Sequence, residues 1–311
     1  MGESHGHAHA GHGTTAADTG TDRRALVISL ALLVAFMVFE VGAAVASNSL
    51  VLLADAGHML VDVGAIAGSL VAIHLAARPE THSHTFGMKR AEILAAAANA
   101  IALLIVSALV TWEAVVRLLH PSTVDGAVLV VVAGVGVAVN LVATMTMARA
   151  NRRSLNIEGA YRHILTDLYG FAGTVIAGVV IILWGFDGAD AIASLVVVLL
   201  MLKAAVELLR PSLRILLEAT PEDMDLDEVR EHLLELPEVE SVHDLHAWTL
   251  TSSLPILTAH VVLTDECLNT GQAGRVLDHL QQCLAGHFDV AHSTLQFEAV
   301  GHIEHEVGGH Q

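Results

Sequence analysis

Six long apolar stretches fill the first two thirds of the chain, and short polar segments separate them. Each stretch is long enough to cross a bilayer as a helix, which takes roughly 20 residues. The pattern predicts spans at about 25–46, 50–77, 91–118, 126–149, 160–184 and 188–209. It therefore predicts an α-helical membrane protein with six transmembrane helices.

Shorter amphipathic segments follow Pro211. Helical spacing of apolar residues predicts helices over 220–236 and 271–287. Alternation of apolar and polar residues predicts strands over 239–251, 255–263 and 292–300. The resulting order, α-β-β-α-β, predicts a small open-faced α+β domain after the membrane helices.

Polar, histidine-bearing tails flank these two parts. HGHAHAGHG at 5–13 has no apolar periodicity, so we expect a disordered tail at the amino end. GHIEHEVGGHQ at the other end is expected to be a second tail. The chain is therefore predicted to divide into four parts: 1–22, 23–210, 211–300 and 301–311.

Composition supports a membrane protein with an acidic C-terminal domain. The chain is 54% hydrophobic and 15% charged, with a mean hydropathy of +0.60. A soluble domain is about 25% charged. Residues 211–311 hold 18 Asp and Glu but 3 Lys and Arg, a net of −15 out of the chain's −18. Such a surface disfavours nucleic acid and attracts cations.

Basic residues cluster on one side of the predicted bundle. They precede span one, lie between spans two and three and between four and five, and follow span six, whereas the opposite side has only Arg117. The positive-inside rule therefore places both termini in the cytoplasm. The two cysteines, Cys267 and Cys283, are too few for a disulfide framework and are expected to be reduced thiols.

Polar residues inside the spans carry the candidate chemistry, because a charged group at the bilayer centre costs roughly 2.5–3.5 kcal/mol. His58 and Asp62 in span two share a helical spacing that puts both on one face, and span five repeats it with His163 and Asp167. Two imidazoles and two carboxylates could close a tetrahedral zinc site if the spans touch. Each pair alone could instead be a polar helix contact, but the repetition favours metal.

Four motifs resemble the zinc-type branch of the cation diffusion facilitator family: ADAGHMLVD at 54–62, FGMKRAEILAAAANA at 86–100, EAVVRLLHPSTVDG at 113–126 and HILTD at 163–167. The likeness covers nearly the whole chain. It implies a six-helix membrane domain, a cytoplasmic ferredoxin-like domain and a homodimer in the bacterial inner (plasma) membrane. It also implies a secondary transporter, not an enzyme, that exports zinc (with cadmium or cobalt as further ions) in exchange for protons. No organic cofactor is expected.

The same resemblance assigns metal-binding roles. It implies a His2Asp2 transport site of His58, Asp62, His163 and Asp167. It also implies a regulatory zinc site in the C-terminal domain, made of His243, His260 and Glu298. Whether His246 and His292 are ligands stays open. Three other histidines are expected to be solvated helix residues: His232, His279 and His287.

The remaining polar residues of the spans are expected to be structural. We expect Asp55 and Glu40 to support helix packing, and Lys203 and Glu207 to form a snorkelling pair at the inner boundary. One position departs from the family pattern. One turn after HILTD the family often has a small polar residue, and this chain has Phe171, which changes the expected shape of the cavity.

Two other classes of function compete with transport. An intramembrane zinc protease usually needs a general-base Glu between metal-binding histidines, as in HExxH. The stretch most similar to this motif is HIEHE at 302–306, which lies in a polar tail. A membrane metal sensor would account for the acidic domain but not for paired His and Asp in two spans. Net metal flux distinguishes a transporter from a sensor.

The histidines of the N-terminal tail can chelate only loosely, because no predicted fold fixes their geometry. We predict that deleting residues 2–20 raises the apparent KM for zinc at most a few-fold and leaves the maximum rate unchanged. The measurement is zinc uptake into inside-out vesicles. A purely solubilising or cloning-derived tail would leave both constants unchanged, and complete loss of transport would show that the tail is part of the mechanism.

Overall fold

The computed structural model describes residues 16–47, 50–120, 125–150, 154–186, 188–290 and 292–302. Within these ranges, the side chains of 16–21, 44, 46–47 and 50–58 are not described. Most of both predicted tails, at 1–15 and 303–311, lies outside the described residues. The chain forms two compact units that part between Leu213 and Arg214.

Six long helices make up the first unit. Their bounds are α1 Ala16–Ser47, α2 Leu50–Ala76, α3 Ala91–Leu119, α4 Gly126–Met147, α5 Leu155–Trp184 and α6 Ala189–Leu216. Each contains a segment long and apolar enough to cross a membrane. The prediction of six spanning helices is thereby confirmed.

Helices α1, α5 and α6 are longer than hydropathy predicts, and α1 begins at Ala16 instead of near residue 25. Helix α5 begins at Leu155 because Ser154 caps it, with its Oγ accepting a hydrogen bond from the Ile157 N–H. Helix α6 continues through Pro211 to Leu216. Next to this proline, the buried Ser212 donates a hydrogen bond from its hydroxyl to the Leu208 carbonyl at 2.8 Å. Polar capping, not apolar content, therefore sets the start of α5.

Helices α4 and α5 approach each other closely at two glycines. A Cβ at Gly178 would lie 2.6 Å from Cγ2 of Val130 and 3.1 Å from the Gly126 carbonyl oxygen. A Cβ at Gly126 would in turn lie 2.9 Å from the Gly178 carbonyl oxygen. Small residues allow backbones in a membrane to come this close, where van der Waals packing holds helices together.

A small α+β fold makes up the second unit. Its elements are α7 Leu226–Leu234, β1 Val239–Thr249, β2 Pro255–Leu263, α8 Asp265–Asn269, α9 Ala273–His287 and β3 His292–Glu298. The sheet order is β1-β2-β3, with β1 antiparallel and β3 parallel to β2. The predicted α-β-β-α-β order and fold class are confirmed, with the short helix α8 added. One apolar core joins α7, α9 and the sheet.

The close approach of α4 and α5 predicts a stability difference between two glycines. We expect Gly178→Ala to lower the free energy of unfolding by about 1–3 kcal/mol, since the added methyl overpacks the contact with Val130. Gly134→Ala on α4 is the matched control, because a Cβ there would meet no atom within 4 Å. Thermal unfolding in detergent measures both. Equal stability of the two variants would contradict the tight contact.

Candidate metal centres

The first candidate centre lies between α2 and α5. Asp62 of α2 and His163 and Asp167 of α5 are buried side chains. Nε2 of His163 donates to Oδ1 of Asp62 at 2.6 Å and lies 3.8 Å from Oδ2 of Asp167. Donor atoms of the three residues all lie within 4.8 Å of one another, close enough to hold one metal ion. The sequence-predicted residues that the structure describes here do come together.

The fourth predicted ligand, His58, belongs to α2, but its side chain lies outside the described residues. The side chain of Asp55 does so as well. His58 precedes Asp62 by one helical turn, so its Cα lies on the same face of α2. The role of His58 as the fourth ligand therefore stays a prediction.

A second polar contact fixes α2 against α5. Nδ2 of Asn156 donates to the carbonyl oxygen of Ser69 at 3.0 Å, and both residues are buried. Ser69 follows Asp62 by two turns, and Asn156 precedes His163 by two turns. The two helices therefore run in opposite directions, and this contact sets the register that brings Asp62 to His163.

Phe171 lies one helical turn after Asp167 along α5. Its ring packs edge-on against Phe36 of α1, with centroids 5.4 Å apart. A Cβ at Gly136 of α4 would lie 2.5 Å from the Phe171 ring, so only glycine fits beneath it. The departure from the family pattern is thus an apolar contact that joins α1, α4 and α5.

Two other buried polar residues lie in the same unit. Nδ2 of Asn140 donates to the Gly136 carbonyl oxygen at 3.1 Å, one turn earlier in α4. Glu40 of α1 is fully buried. Glu40 does not belong to the group of donor atoms around His163.

The expected pair of Lys203 with Glu207 is present, and Glu207 has a second partner that the sequence did not predict. Nζ of Lys203 lies 3.8 Å from Glu207, but Glu207 also makes a direct ion pair with Arg162 of α5. Arg162 in turn bonds Glu158 at 2.7 Å. Glu207 therefore ties α6 to α5, a contact between helices that spacing along one helix cannot reveal.

The second candidate centre lies on the sheet of the C-terminal unit. His243 of β1 pairs directly with His260 of β2, and Glu298 ends β3 beside them. Nε2 of His243 donates to Oε2 of Glu298 at 3.1 Å, and Nδ1 of His260 lies 2.7 Å from Oε1. These donor atoms also lie within 4.8 Å of one another. All three predicted residues come together.

The Glu298 carboxylate is held in its charged form. Burial favours the neutral acid, but hydrogen bonds from Gln296 and His243 and the nearby His260 outweigh it, so the pKa of Glu298 is lowered. Nε2 of Gln296 donates to Oε1 at 2.8 Å. An ionised carboxylate between two imidazoles suits a zinc ion.

Asp244 is the residue that sequence reasoning missed. A bulge in β1 between His243 and His246 gives it a left-handed backbone with φ of 48°. Its Oδ1 accepts from Nε2 of His246 at 3.0 Å, and its Oδ2 lies 3.8 Å from Nε2 of His260. Asp244 therefore orients the imidazole of His246 and places a negative charge near that of His260. The only signal in the sequence is its place inside VHDLH.

Among the residues that the structure describes, no other histidine belongs to either donor group. His246 touches Asp244 but is not in the donor group, and His292 is exposed at the start of β3. His84, in the exposed connection between α2 and α3, bonds Ser83 at 3.0 Å.

Two family models match the two units. Residues 26–217 match the model described as the cation efflux transmembrane domain. Residues 221–300 match the model described as the cytoplasmic domain of cation efflux proteins.

Curated relatives match along almost their full length. The metal cation efflux system protein CzcD of Cupriavidus metallidurans is 40% identical over 96% of this chain and 90% of its own. The zinc transporter ZitB of Escherichia coli is 35% identical over 98% of both chains. The cadmium, cobalt and zinc/H(+)-K(+) antiporter of Bacillus velezensis is 34% identical over 96% of this chain and 93% of its own.

Proposed function

The chain belongs to the cation efflux family, an integral membrane transporter family, and we propose that it exports Zn²⁺ from the cytoplasm in exchange for protons. Transport proceeds by alternating access around His58, Asp62, His163 and Asp167. The observation that carries the proposal is the buried contact of Asp62, His163 and Asp167 between two membrane helices. Buried carboxylates in a bilayer need a cation or protons to compensate them.

The contact at His163 supports exchange for protons. A hydrogen bond of 2.6 Å places a proton between His163 and Asp62. A metal ion can bind Nε2 only after that proton has left, because metal and proton use the same lone pair. Metal loading on one side of the membrane therefore releases protons, and proton loading on the other side releases metal.

The identity of the ion is proposed from the donor set. Two imidazoles and two carboxylates suit zinc at about 2.0–2.2 Å. Relatives are named for zinc, cadmium and cobalt, so cadmium and cobalt are proposed as further substrates. One relative is named as an antiporter of cadmium, cobalt and zinc with H(+) and K(+), and this name supports exchange.

We propose that successive parts of the chain have different functions. Residues 23–210 form the transport domain, and residues 211–300 form a cytoplasmic metal-binding and dimerisation domain flanked by tails at 1–22 and 301–311. Basic residues concentrated on one side favour cytoplasmic termini in a bacterial inner membrane.

Removing one carboxylate tests the transport site. Asp167→Ala leaves the metal charge poorly compensated, so we expect it to abolish pH-driven zinc uptake into proteoliposomes. Asp167→Asn keeps the shape and removes the charge, and we expect the same loss. If the protein were a metal sensor, even the wild type would bind zinc without net flux.

Thr174→Ala is the matched control for that experiment. Thr174 also lies on α5, where its hydroxyl bonds the Gly170 carbonyl at 3.1 Å, away from the donor group. We expect its flux to match wild type. Wild-type flux in Asp167→Ala would contradict the site.

The sheet site predicts zinc-dependent association. A net charge of −15 on residues 211–311 repels a second copy, and screening at physiological salt leaves this repulsion acting within about 8 Å. Zinc at His243, His260 and Glu298 adds positive charge there. We expect zinc to tighten the dimer of a 211–311 fragment and to raise transport activity.

Sedimentation of that fragment with zinc and with chelator measures the effect. We expect His260→Ala to lose most of the tightening, whereas His279→Ala, on the exposed face of α9, should keep it. A dimer constant that is the same with zinc and with chelator would mean that the domain is a passive assembly module.

A further inference from the structure

The ends of two helices in the C-terminal unit bring a thiol and two imidazoles together. Sγ of Cys283, on α9, lies 3.6 Å from Nδ1 of His287, one turn further along the same helix. The His287 ring lies 5.2 Å, between centroids, from the ring of His232 on α7. Sequence alone leaves both histidines as solvated helix residues, because it does not show that α7 and α9 meet at these turns.

His232 is already oriented as a metal ligand would be. Its Nδ1 lies 3.0 Å from the Glu228 carbonyl oxygen, which can only accept, so Nδ1 carries the proton. Nε2 is then left with its lone pair. Metal-binding histidines almost always donate their other ring nitrogen in this way, which fixes the tautomer and the ring. Phe288 packs edge-on against the same ring at 5.1 Å and limits its rotation.

The electrostatic surroundings favour a cation. His232 lies in the last turn of α7 and His287 in the last turn of α9, so two helix C-termini, each with partial negative charge, point to this place. Glu235, the C-cap of α7, is near enough to Cys283 to act on it: burial first and then this carboxylate raise the pKa of the thiol. A bound cation would relieve that repulsion.

We propose that Cys283, His287 and His232, with Glu235 as a charge partner, form a further metal site for a thiophilic divalent cation such as Cd²⁺. Binding displaces the thiol proton to solvent and leaves a metal–thiolate bond. The site is open to solvent, since Cys283 and His232 are half-buried and His287 is exposed. The donor atoms of this set do not all lie within 4.8 Å of one another in this structure, so the exposed His287 must change rotamer to complete the ligand set.

Sulfur distinguishes this site from the two His–carboxylate centres. Thiolate selects softer ions, whereas imidazole and carboxylate donors suit zinc and harder ions. Cys267, the chain's other cysteine, is buried in the core of the C-terminal unit. The inference does not depend on the proposed transport function.

The test is a Cd²⁺ titration of the full chain in detergent, followed by the ultraviolet thiolate-to-cadmium charge-transfer band. Only a cysteine can give this band, and the chain has 2. We expect the band in wild type and in Cys267→Ala, and its loss in Cys283→Ser. His287→Ala and His232→Ala should each weaken binding about tenfold or more, since even outer partners of metal ligands contribute that much. His302→Ala, an exposed histidine, is the control and should leave it unchanged.

Three outcomes would overturn the proposal. The first is absence of the band in wild type, and the second is its persistence in Cys283→Ser. The third is wild-type affinity for Cd²⁺ in both histidine variants, which would mean that a lone thiol binds the metal. A second measurement needs no change at the site. In Cys267→Ala, Cd²⁺ should slow the reaction of Cys283 with a maleimide at least about tenfold. An unchanged rate would also overturn the proposal.

Discussion

The charge of two carboxylates buried between membrane helices is the constraint on which the first unit depends. Asp62 and Asp167 cannot both stay ionised in a bilayer without a cation or protons beside them. His163 stands between them and can carry either a proton or a metal ion. The contact of Asn156 with Ser69 then keeps α2 and α5 in register. A contact between the helices two turns from the site therefore helps to position its donor atoms.

The two His–carboxylate centres use similar ligands on different scaffolds. In the membrane unit the donors come from two separate helices, which side-chain contacts hold in register, so the geometry of the donors can change when those contacts break. On the sheet, the pairing of His243 with His260 is fixed by backbone hydrogen bonds, with Glu298 held by Gln296. A movable site suits release of its ion, whereas a fixed site suits retention. The difference agrees with the separate roles proposed for them.

Local patterns in the sequence predicted the helices, the strands and the residues that share a helix face. Apolar length predicted the six spans, and alternation predicted the three strands. The spacing of His163 and Asp167 predicted a shared helix face. Contacts between elements were not predictable in this way: Glu207 meets Arg162 of another helix, and Asp244 turns toward His260 only because β1 bulges. Sequence proposed that the second span meets the fifth, but only tertiary packing brings Asp62 to His163.

The parallel pairing of β3 with β2 also has a consequence for biosynthesis. Glu298 is the last residue of β3, so the sheet centre cannot be completed until the ribosome has translated the chain through this residue. The donor group around His163 uses only residues from the first 167 positions and can assemble earlier. Newly made chains therefore pass through a stage that has membrane ligands but no sheet centre. A chain cut short before β3 would stay at that stage, with the donor group around His163 but without the donor group on the sheet.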